Sequence, residues 1–301
     1  TSWYNETLNT STRGSRKEFP AVAVIVAETS KVTIYDGDDP DLPMWMVFNS
    51  TANRSFIGYQ SSTVESIKSL NASLVVGAGS ELNEINFLRD NSFRIGSTAS
   101  WFTTNNISQR NVDFTTFTDT GKRTVGGGGY HVAMTVLPSA PIDDATGLPV
   151  PTIAVGTDSG VSVIRDNESV FDIAGSNATY NDVNNVEFTK DNKIVYTEFS
   201  SSTYGGIMYG WLYVHDIPSA DTTLALNSQS SALSFYDTRD PLSNFGQEGW
   251  IRGTAQFRGD RIDSIAVGDG LHIYAAPTGN SGVTFIEDNR TADKSSLMAY
   301  V

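Results

Sequence analysis

The densest set of metal-ligating side chains in the sequence is an acidic loop. It reads DGDDPD from residue 36 to 41 and carries the carboxylates of Asp36, Asp38, Asp39 and Asp41. Clustered carboxylate oxygens are the ligands that Ca²⁺ prefers, so these four side chains are the predicted metal site. Their spacing differs from that of an EF-hand loop and Pro40 restricts the backbone, so a solvated loop between two strands is the simpler interpretation.

A second set of candidate side chains is aromatic. Several rings lie near loops or apparent strand edges, beside Asn and Asp residues. Proteins commonly bind sugars in this way, because a ring stacks on the sugar face while polar groups bond the hydroxyls. Packing in the core is the alternative for each ring. The predicted ligand-binding residues are Trp101, Tyr204, Tyr209, Trp211 and Trp250.

The sequence contains no recognisable catalytic motif. Its three histidines, at 131, 215 and 272, are far apart, and neither HExxH nor GxSxG occurs. Cleavage of a glycan would use two carboxylates at a defined separation, and nothing in the sequence selects such a pair from 34 acidic residues. We therefore predict a non-enzymatic protein without catalytic residues, and keep glycoside hydrolysis as the alternative.

Composition limits the classes of partner. The chain has 301 residues, a formal net charge of -14 and no Cys, so disulfides and cysteine-based zinc sites are excluded. An acidic surface repels nucleic-acid phosphates and anionic membranes. The apolar run at residues 21–27 is far shorter than the roughly 20 residues of a membrane-spanning helix. We expect no nucleic-acid binding, no membrane insertion and no cofactor other than Ca²⁺.

Short runs of small and β-branched residues, separated by polar turns, indicate a meander of tight hairpins along the chain. The clearest example is PTIAVGTDSGVSVI at residues 151–164, where TDSG is the predicted turn. The same form recurs, and no segment of a dozen residues shows helical periodicity. The recurrent runs are Ala23–Ala27, Ser73–Gly77, Thr152–Gly156, Ile194–Thr197 and Ser264–Gly268.

This recurrence predicts an all-β fold, a β-propeller of about five blades. Ala, Gly and Val suit strands that converge on a central axis, where space is limited. Residues 96–129, rich in Thr, Asn and Gly, are either a decorated loop or a sixth blade, and a β-sandwich is the alternative fold. We predict a polar lead-in or edge strand at residues 1–20 and one propeller-like domain at 21–301, within a longer polypeptide.

Four short sequence segments are spread from one end of the chain to the other. They are SWY at residues 2–4, VTIYDGDDPDLPMWMVF at 32–48, GLPVPTIAVGTDSGVSVI at 147–164 and SLMAYV at 296–301. These four segments resemble parts of tail-fibre-like structural proteins of marine tailed bacteriophages. The resemblance implies a β-rich, propeller-like module of a virion tail, and it supplies no catalytic residues.

From this resemblance we expect an extracellular virion protein that displays loops for recognition of a host-surface glycan or for tail assembly. Its expected partners are host-surface polysaccharide and other tail subunits, including further copies of itself as a homo-oligomer. Two alternatives stay open at this point. One is a virion-associated polysaccharide depolymerase or glycosidase of the propeller class, and the other is a secreted lectin.

Overall fold

The structure is a computed structural model. It describes residues 1–50, 54–58, 63–103, 105–113, 117–128, 131–175, 182–204, 207–224, 255–258, 262–267, 272–277, 284–288 and 297–300. Apart from two short 3₁₀ turns, every regular element in these ranges is a β-strand, which confirms the prediction of an all-β fold. The strands form five sheets, four of which are wholly antiparallel. No helix in the described ranges is long and apolar enough to cross a membrane.

The chain divides into two compact units. The first comprises residues 1–123 and 140–150, and the second comprises residues 124–139 and 151–301. The 3₁₀ turns, Trp3–Asn5 and Ile107–Gln109, lie in the first unit. The strands of the first unit are β1 (Ala23–Glu28), β2 (Lys31–Asp36), β3 (Met44–Asn49), β4 (Val64–Leu70), β5 (Ser73–Ala78), β6 (Glu81–Asn86), β7 (Asn91–Ile95), β8 (Ser100–Thr103) and β9 (Phe117–Asp119).

The first sheet consists of β1, β2 and β3 in that order. A two-residue turn joins β1 to β2, and Glu28 pairs with Lys31 across it. On the far side of β3, Arg13 forms an isolated antiparallel bridge with Met46, and the Gly14 amide donates to the Trp45 carbonyl at 2.9 Å. Part of the segment 1–20 therefore lies along the edge of β3, while the opposite edge of the sheet is formed by β1.

The second sheet of this unit runs from β4 to β9 in chain order. Its last two strands come from the region 96–129, for which both a loop and a sixth blade were open from the sequence. In the described part of that region, β8 and β9 continue the sheet begun by β4–β7. This outcome was not accessible from the sequence, because the Thr- and Asn-rich composition hides strands of only three or four residues.

The core of the first unit contains an aromatic cluster. The Trp3 and Trp45 ring centroids lie 5.6 Å apart and nearly perpendicular, and Phe19 meets Phe87 at 5.0 Å in the same edge-to-face manner. Such contacts contribute about 0.5–1.5 kcal/mol per pair beyond the burial of area. Trp3 is 6% exposed, so the N-terminal segment contributes directly to this core.

The described strands of the second unit are β10 (His131–Thr135), β11 (Thr152–Thr157), β12 (Gly160–Ile164), β13 (Val170–Gly175), β14 (Asp182–Phe188), β15 (Lys193–Tyr204), β16 (Ile207–Asp216), β17 (Thr222–Leu224), β18 (Ala255–Arg258), β19 (Ile262–Val267), β20 (His272–Pro277), β21 (Thr284–Asp288) and β22 (Leu297–Tyr300). These strands form three sheets. Two of them, β14-β15-β16-β18 and β19-β20-β21-β22, are antiparallel, while β10-β11-β12-β13 adds a parallel edge strand, β17.

The predicted hairpin at 151–164 is present, formed by β11 and β12. Thr157 pairs with Gly160 across the turn, and Gly160 has φ of +131°. A Cβ there would lie 2.2 Å from the Ile173 carbonyl oxygen, so both the conformation and the space require glycine. Every residue of both strands is buried. The described residues of all five recurrent runs lie in strands, here β1, β5, β11, β15 and β19.

Candidate functional site

A row of polar and aromatic side chains crosses the outer strands of the β4–β9 sheet. Asn83 in β6 lies opposite Arg94 in β7, Arg94 lies opposite Trp101 in β8, and Trp101 lies opposite Asp119 in β9. Residues directly opposite one another on neighbouring strands share a face of the sheet, so these four side chains are neighbours. The row includes Trp101, one of the predicted ligand-binding residues.

Arg94 is the buried anchor of this row, with only 3% of its surface exposed. Its Nε donates to Asn83 Oδ1 at 3.0 Å, and its Nη2 donates to the carbonyl oxygens of Ser55 at 2.6 Å and Gly58 at 3.2 Å. Its Nη1 lies 3.0 Å from Glu81 Oε2. These four contacts fix the position of the guanidinium, and so they also restrict the position of the side chains that pack beside it.

The Arg94–Glu81 pair is desolvated, and the pKa values of both partners reflect this. Burial lowers the pKa of Arg94, and the charge of Glu81 partly offsets that effect. Burial raises the pKa of Glu81, and the charges of Arg94 and Arg54 partly offset it. Each partner therefore stabilises the charged form of the other, at a site from which water is largely excluded.

Trp101 is half-buried and lies close to two guanidinium groups. The Cζ of Arg94 is 5.7 Å from its ring centroid and that of Arg54 is 6.0 Å away, within the range of cation–π attraction. The backbone of Arg54 is held by its amide, which donates to Asp113 Oδ1 at 3.1 Å. The indole is therefore held in one orientation while part of its surface faces solvent.

An exposed ion pair forms the outer end of the row. Arg123 Nη2 donates to Asp119 Oδ2 at 2.8 Å, and its Nη1 donates to Asp119 Oδ1 at 3.0 Å and to Ser100 Oγ at 3.1 Å. The bonds from Arg123, with one from the Gly121 amide, hold the pKa of Asp119 far below its ordinary value. We call Arg54, Arg94, Trp101, Asp119 and Arg123 together the Trp101 patch.

The opposite face of β8 carries a second aromatic side chain, Phe102. It is 41% exposed, and it lies opposite Phe93 in β7 and Thr118 in β9. Successive residues of a strand point to opposite faces, so Phe102 and Trp101 are on different sides of the sheet. Phe102 is an aromatic residue beside Trp101 that belongs to a different surface, which makes it a matched control for experiments on Trp101.

The other predicted ligand-binding residues lie in the second unit or outside the described residues. Tyr204 is at the end of β15, opposite Ile207. Tyr209 and Trp211 are both on β16, which pairs with β15 and β18. Trp250 lies outside the described residues. The structure brings Trp101 together with charged residues that the sequence did not single out.

Three carboxylates of the predicted metal loop are held by protein groups. Arg16 Nη1 donates to Asp36 at 2.8 and 2.9 Å and to Asp38 at 2.7 Å, so an arginine supplies the positive charge there. Asp38 also accepts the backbone amides of residues 21 and 22, and the first of these bonds does most to lower its pKa. Asp39 Oδ1 accepts the Asp41 amide at 2.9 Å within the turn.

No group of three or more His, Cys, Asp or Glu that could hold a metal ion occurs among the described residues. The loop at 36–41 is therefore an arginine-bridged turn, and Ca²⁺ binding by it stays a prediction. Nothing in the sequence indicated this bridge, because Arg16 is 20 residues away from Asp36 and belongs to the segment expected to be a lead-in.

The Arg and Asp members of the Trp101 patch were also missed by sequence reasoning. Arg94, Trp101 and Asp119 are adjacent only because two connections return the chain in register. The usable signal was weak: an arginine between Phe93 and Ile95 within an apparent strand, where an apolar residue is the common choice. A buried arginine in a strand needs fixed partners, and that requirement points to a built site.

Comparison with known proteins adds no assignment to this geometry. A scan against protein-family models finds none that matches the chain. A search of curated proteins finds no similar sequence. Function is therefore inferred from the residues of the site and from the resemblance to tail-fibre-like proteins described above.

Proposed function

We propose that this chain is a non-enzymatic module of a bacteriophage tail, of tail-fibre type, that binds a host-surface polysaccharide at the Trp101 patch. In this proposal the chain is part of the virion and is therefore extracellular, and its other partners are tail subunits. The observation that carries the proposal is Trp101 itself. A half-buried indole close to Arg94 and Arg54, with a carboxylate and a further guanidinium beside it, combines a stacking surface with oriented polar groups.

The chemistry of the patch suits a sugar. A pyranose ring presents a face of C–H groups to an indole and a rim of hydroxyls to polar neighbours. Asp119 accepts hydrogen bonds and Arg123 donates them, so together they match hydroxyls of either role. Because Arg94 and its partners are already ordered, little conformational entropy is lost when a ligand binds.

We also propose that the sheets are blades of a β-propeller of about five blades, with a β-sandwich as the alternative. Blades are antiparallel meanders, and four of the five sheets in the described part of the chain are wholly antiparallel, while the fifth adds the parallel edge strand β17 to an antiparallel meander of β10–β13. Within each unit the first strand of one sheet contacts the first strand of the next, as in β1 with β4, β10 with β14 and β14 with β19.

A glycosidase is the second candidate function, favoured by one observation. Two carboxyl groups in or beside the Trp101 patch have pKa values displaced in opposite directions: burial raises that of Glu81, and Arg123 lowers that of Asp119. Acid–base cleavage of a glycosidic bond uses two carboxyls whose pKa values are separated in this way. The non-enzymatic function is preferred because Glu81 is engaged by Arg94 rather than directed at a ligand site.

Binding to a panel of immobilised bacterial surface polysaccharides tests the proposed function. Retention on at least one polysaccharide, without release of new reducing ends, is the expected result. Release of reducing ends that is lost in the Glu81→Gln variant would transfer the assignment to the glycosidase. Failure to bind any polysaccharide, together with tight binding to another tail protein, would instead show a structural connector.

A further inference from the structure

Strand β1 and the residue before it expose apolar side chains, whereas two of its counterparts, β5 and β11, are buried. Within β1, Val24 is 39% exposed and Val26 is 40% exposed, and Val22, immediately before the strand, is 57% exposed. The strands formed by the equivalent recurrent runs, β5 and β11, are buried along their whole length. Each of those strands has a neighbour on both sides, β4 and β6 in one case and β10 and β12 in the other. Among the described strands, β1 pairs with β2 alone.

The edge of β1 that faces away from β2 has no partner among the described strands and can accept another strand. Val22 accepts a hydrogen bond through its carbonyl from the Gly37 amide, so the backbone groups of residues 22, 24, 26 and 28 point toward β2. Alternation then directs the N–H and C=O groups of Ala23, Ile25 and Ala27 away from β2, along the free edge. An edge of this kind is usually protected by a charge, a proline or a bulge.

The interior of β1 carries none of these protections. Residues 23–27 read Ala-Val-Ile-Val-Ala, without charge or proline, and pair with β2 in unbroken register. The terminal Glu28 is neutralised by Lys31, whose Nζ lies 2.7 Å from its Oε2. Uncharged, apolar strands with a free edge pair readily with another strand. A strand that fits this edge must itself be apolar and uncharged.

The sequence of the strand identifies the occupant, because residues 23–27 form a palindrome about Ile25. In an antiparallel pair related by a two-fold axis through Ile25, Ala23 lies opposite Ala27 of the other copy, and Val24 lies opposite Val26. The three outward-directed residues then fall opposite one another, in the register that lets antiparallel strands exchange N–H···O=C bonds. A two-fold interface uses the same surface on both subunits, and a palindromic strand satisfies that condition residue by residue.

We propose that β1 of one chain pairs antiparallel with β1 of a second copy about a two-fold axis at Ile25, forming a homodimer with a continuous six-stranded sheet. The pairing joins two three-stranded β1–β3 sheets. It also brings Val24 and Val26 of both copies together on one face, where each covers apolar surface of the other. The proposal requires an open edge at β1, and it does not depend on glycan binding.

A charge-exchange experiment tests the pairing and its register. In the V24K/V26K variant, the ammonium group introduced at position 24 of one copy would face the one at position 26 of the other. We therefore expect the dissociation constant of the dimer to rise by about tenfold or more. In the V24K/V26E variant, an ammonium group would face a carboxylate across the same pair of positions, so we expect the dimer to be retained. Both positions are exposed in the single chain, so both variants should fold alike.

Sedimentation equilibrium of the full chain, over a range of concentrations, measures the dissociation constant of each variant. Hydrogen exchange adds a second measurement: the amides of Ala23, Ile25 and Ala27 should gain protection as the dimer forms. A wild-type chain that stays monomeric overturns the proposal. Loss of the dimer in both variants, or in neither, overturns the two-fold register at Ile25.

Discussion

Replacing Arg94 by Met tests whether the Trp101 patch is built on a buried charge. Met keeps the aliphatic volume of the side chain but leaves the carboxylate of Glu81 without its partner at 3.0 Å. It also removes the donors to Asn83, Ser55 and Gly58. Removing one member of a buried ion pair costs about 3–5 kcal/mol, because the remaining charge stays desolvated. We expect the free energy of unfolding of the first unit to fall by about that amount.

The pH dependence of this loss identifies its cause. The pKa of Glu81 is raised in the folded protein, so the folded state binds more protons than the unfolded state and stability falls as pH rises between the two pKa values. Without Arg94 the folded-state pKa of Glu81 rises further. The destabilisation by Arg94→Met should therefore be smaller at about pH 5 than at about pH 8.

Urea unfolding followed by tryptophan fluorescence measures both effects. The double variant R94M/E81L removes both charges and should recover a substantial part of the loss, since replacing a buried ion pair by apolar residues is often neutral. A loss of less than about 1 kcal/mol, equal at both pH values, would rule out a buried charge as the basis of the patch. That result would mean that Arg94 and Glu81 are solvated and that their ion pair does not hold the Trp101 patch in place.

Two further predictions concern the rim of the patch and the hairpin at 151–164. The pKa of Asp119 is lowered in the folded protein, so its contribution to stability is present above its unfolded pKa and is lost as pH falls. Below about pH 4, the thermal midpoint of the Asp119→Asn variant should therefore depend less on pH than that of the wild type. Gly160→Ala should lower the free energy of unfolding by about 1–3 kcal/mol, since the new Cβ meets the Ile173 carbonyl. Gly147→Ala is the matched control, because Gly147 also has positive φ but nothing within 4 Å of a Cβ; equal costs at the two glycines would show that the close contact is irrelevant.

The strand content of this fold could be predicted from the sequence because its signals are local. Alternating β-branched residues and a Thr-Asp-Ser-Gly turn define β11 and β12 without knowledge of anything distant. The glycine at 160 was recognisable as a turn residue, although its contact with Ile173 was not. Runs of this kind are strand-forming wherever they occur, and so the all-β class followed directly.

The candidate site could be predicted only in part, because its residues are brought together by the register of the strand pairing, which the sequence does not show. Trp101 was accessible as an aromatic residue near a loop, but its neighbours Arg94 and Asp119 depend on how two loops return the chain. A shift of one residue in either pairing would move these side chains to the other face. The ion pair of Arg16 with Asp36 was likewise inaccessible, because it joins residues from distant parts of the sequence.

A comparison of Trp101→Ala with Phe102→Ala decides whether the Trp101 patch binds glycan. Titration calorimetry with the polysaccharide retained best in the panel measures the affinity of each variant, after circular dichroism has shown that both are folded. We expect Trp101→Ala to weaken binding about tenfold or more, as for a central aromatic contact, and Phe102→Ala to bind as the wild type does. Wild-type affinity in Trp101→Ala would show that the polysaccharide binds elsewhere and that the proposed site is wrong.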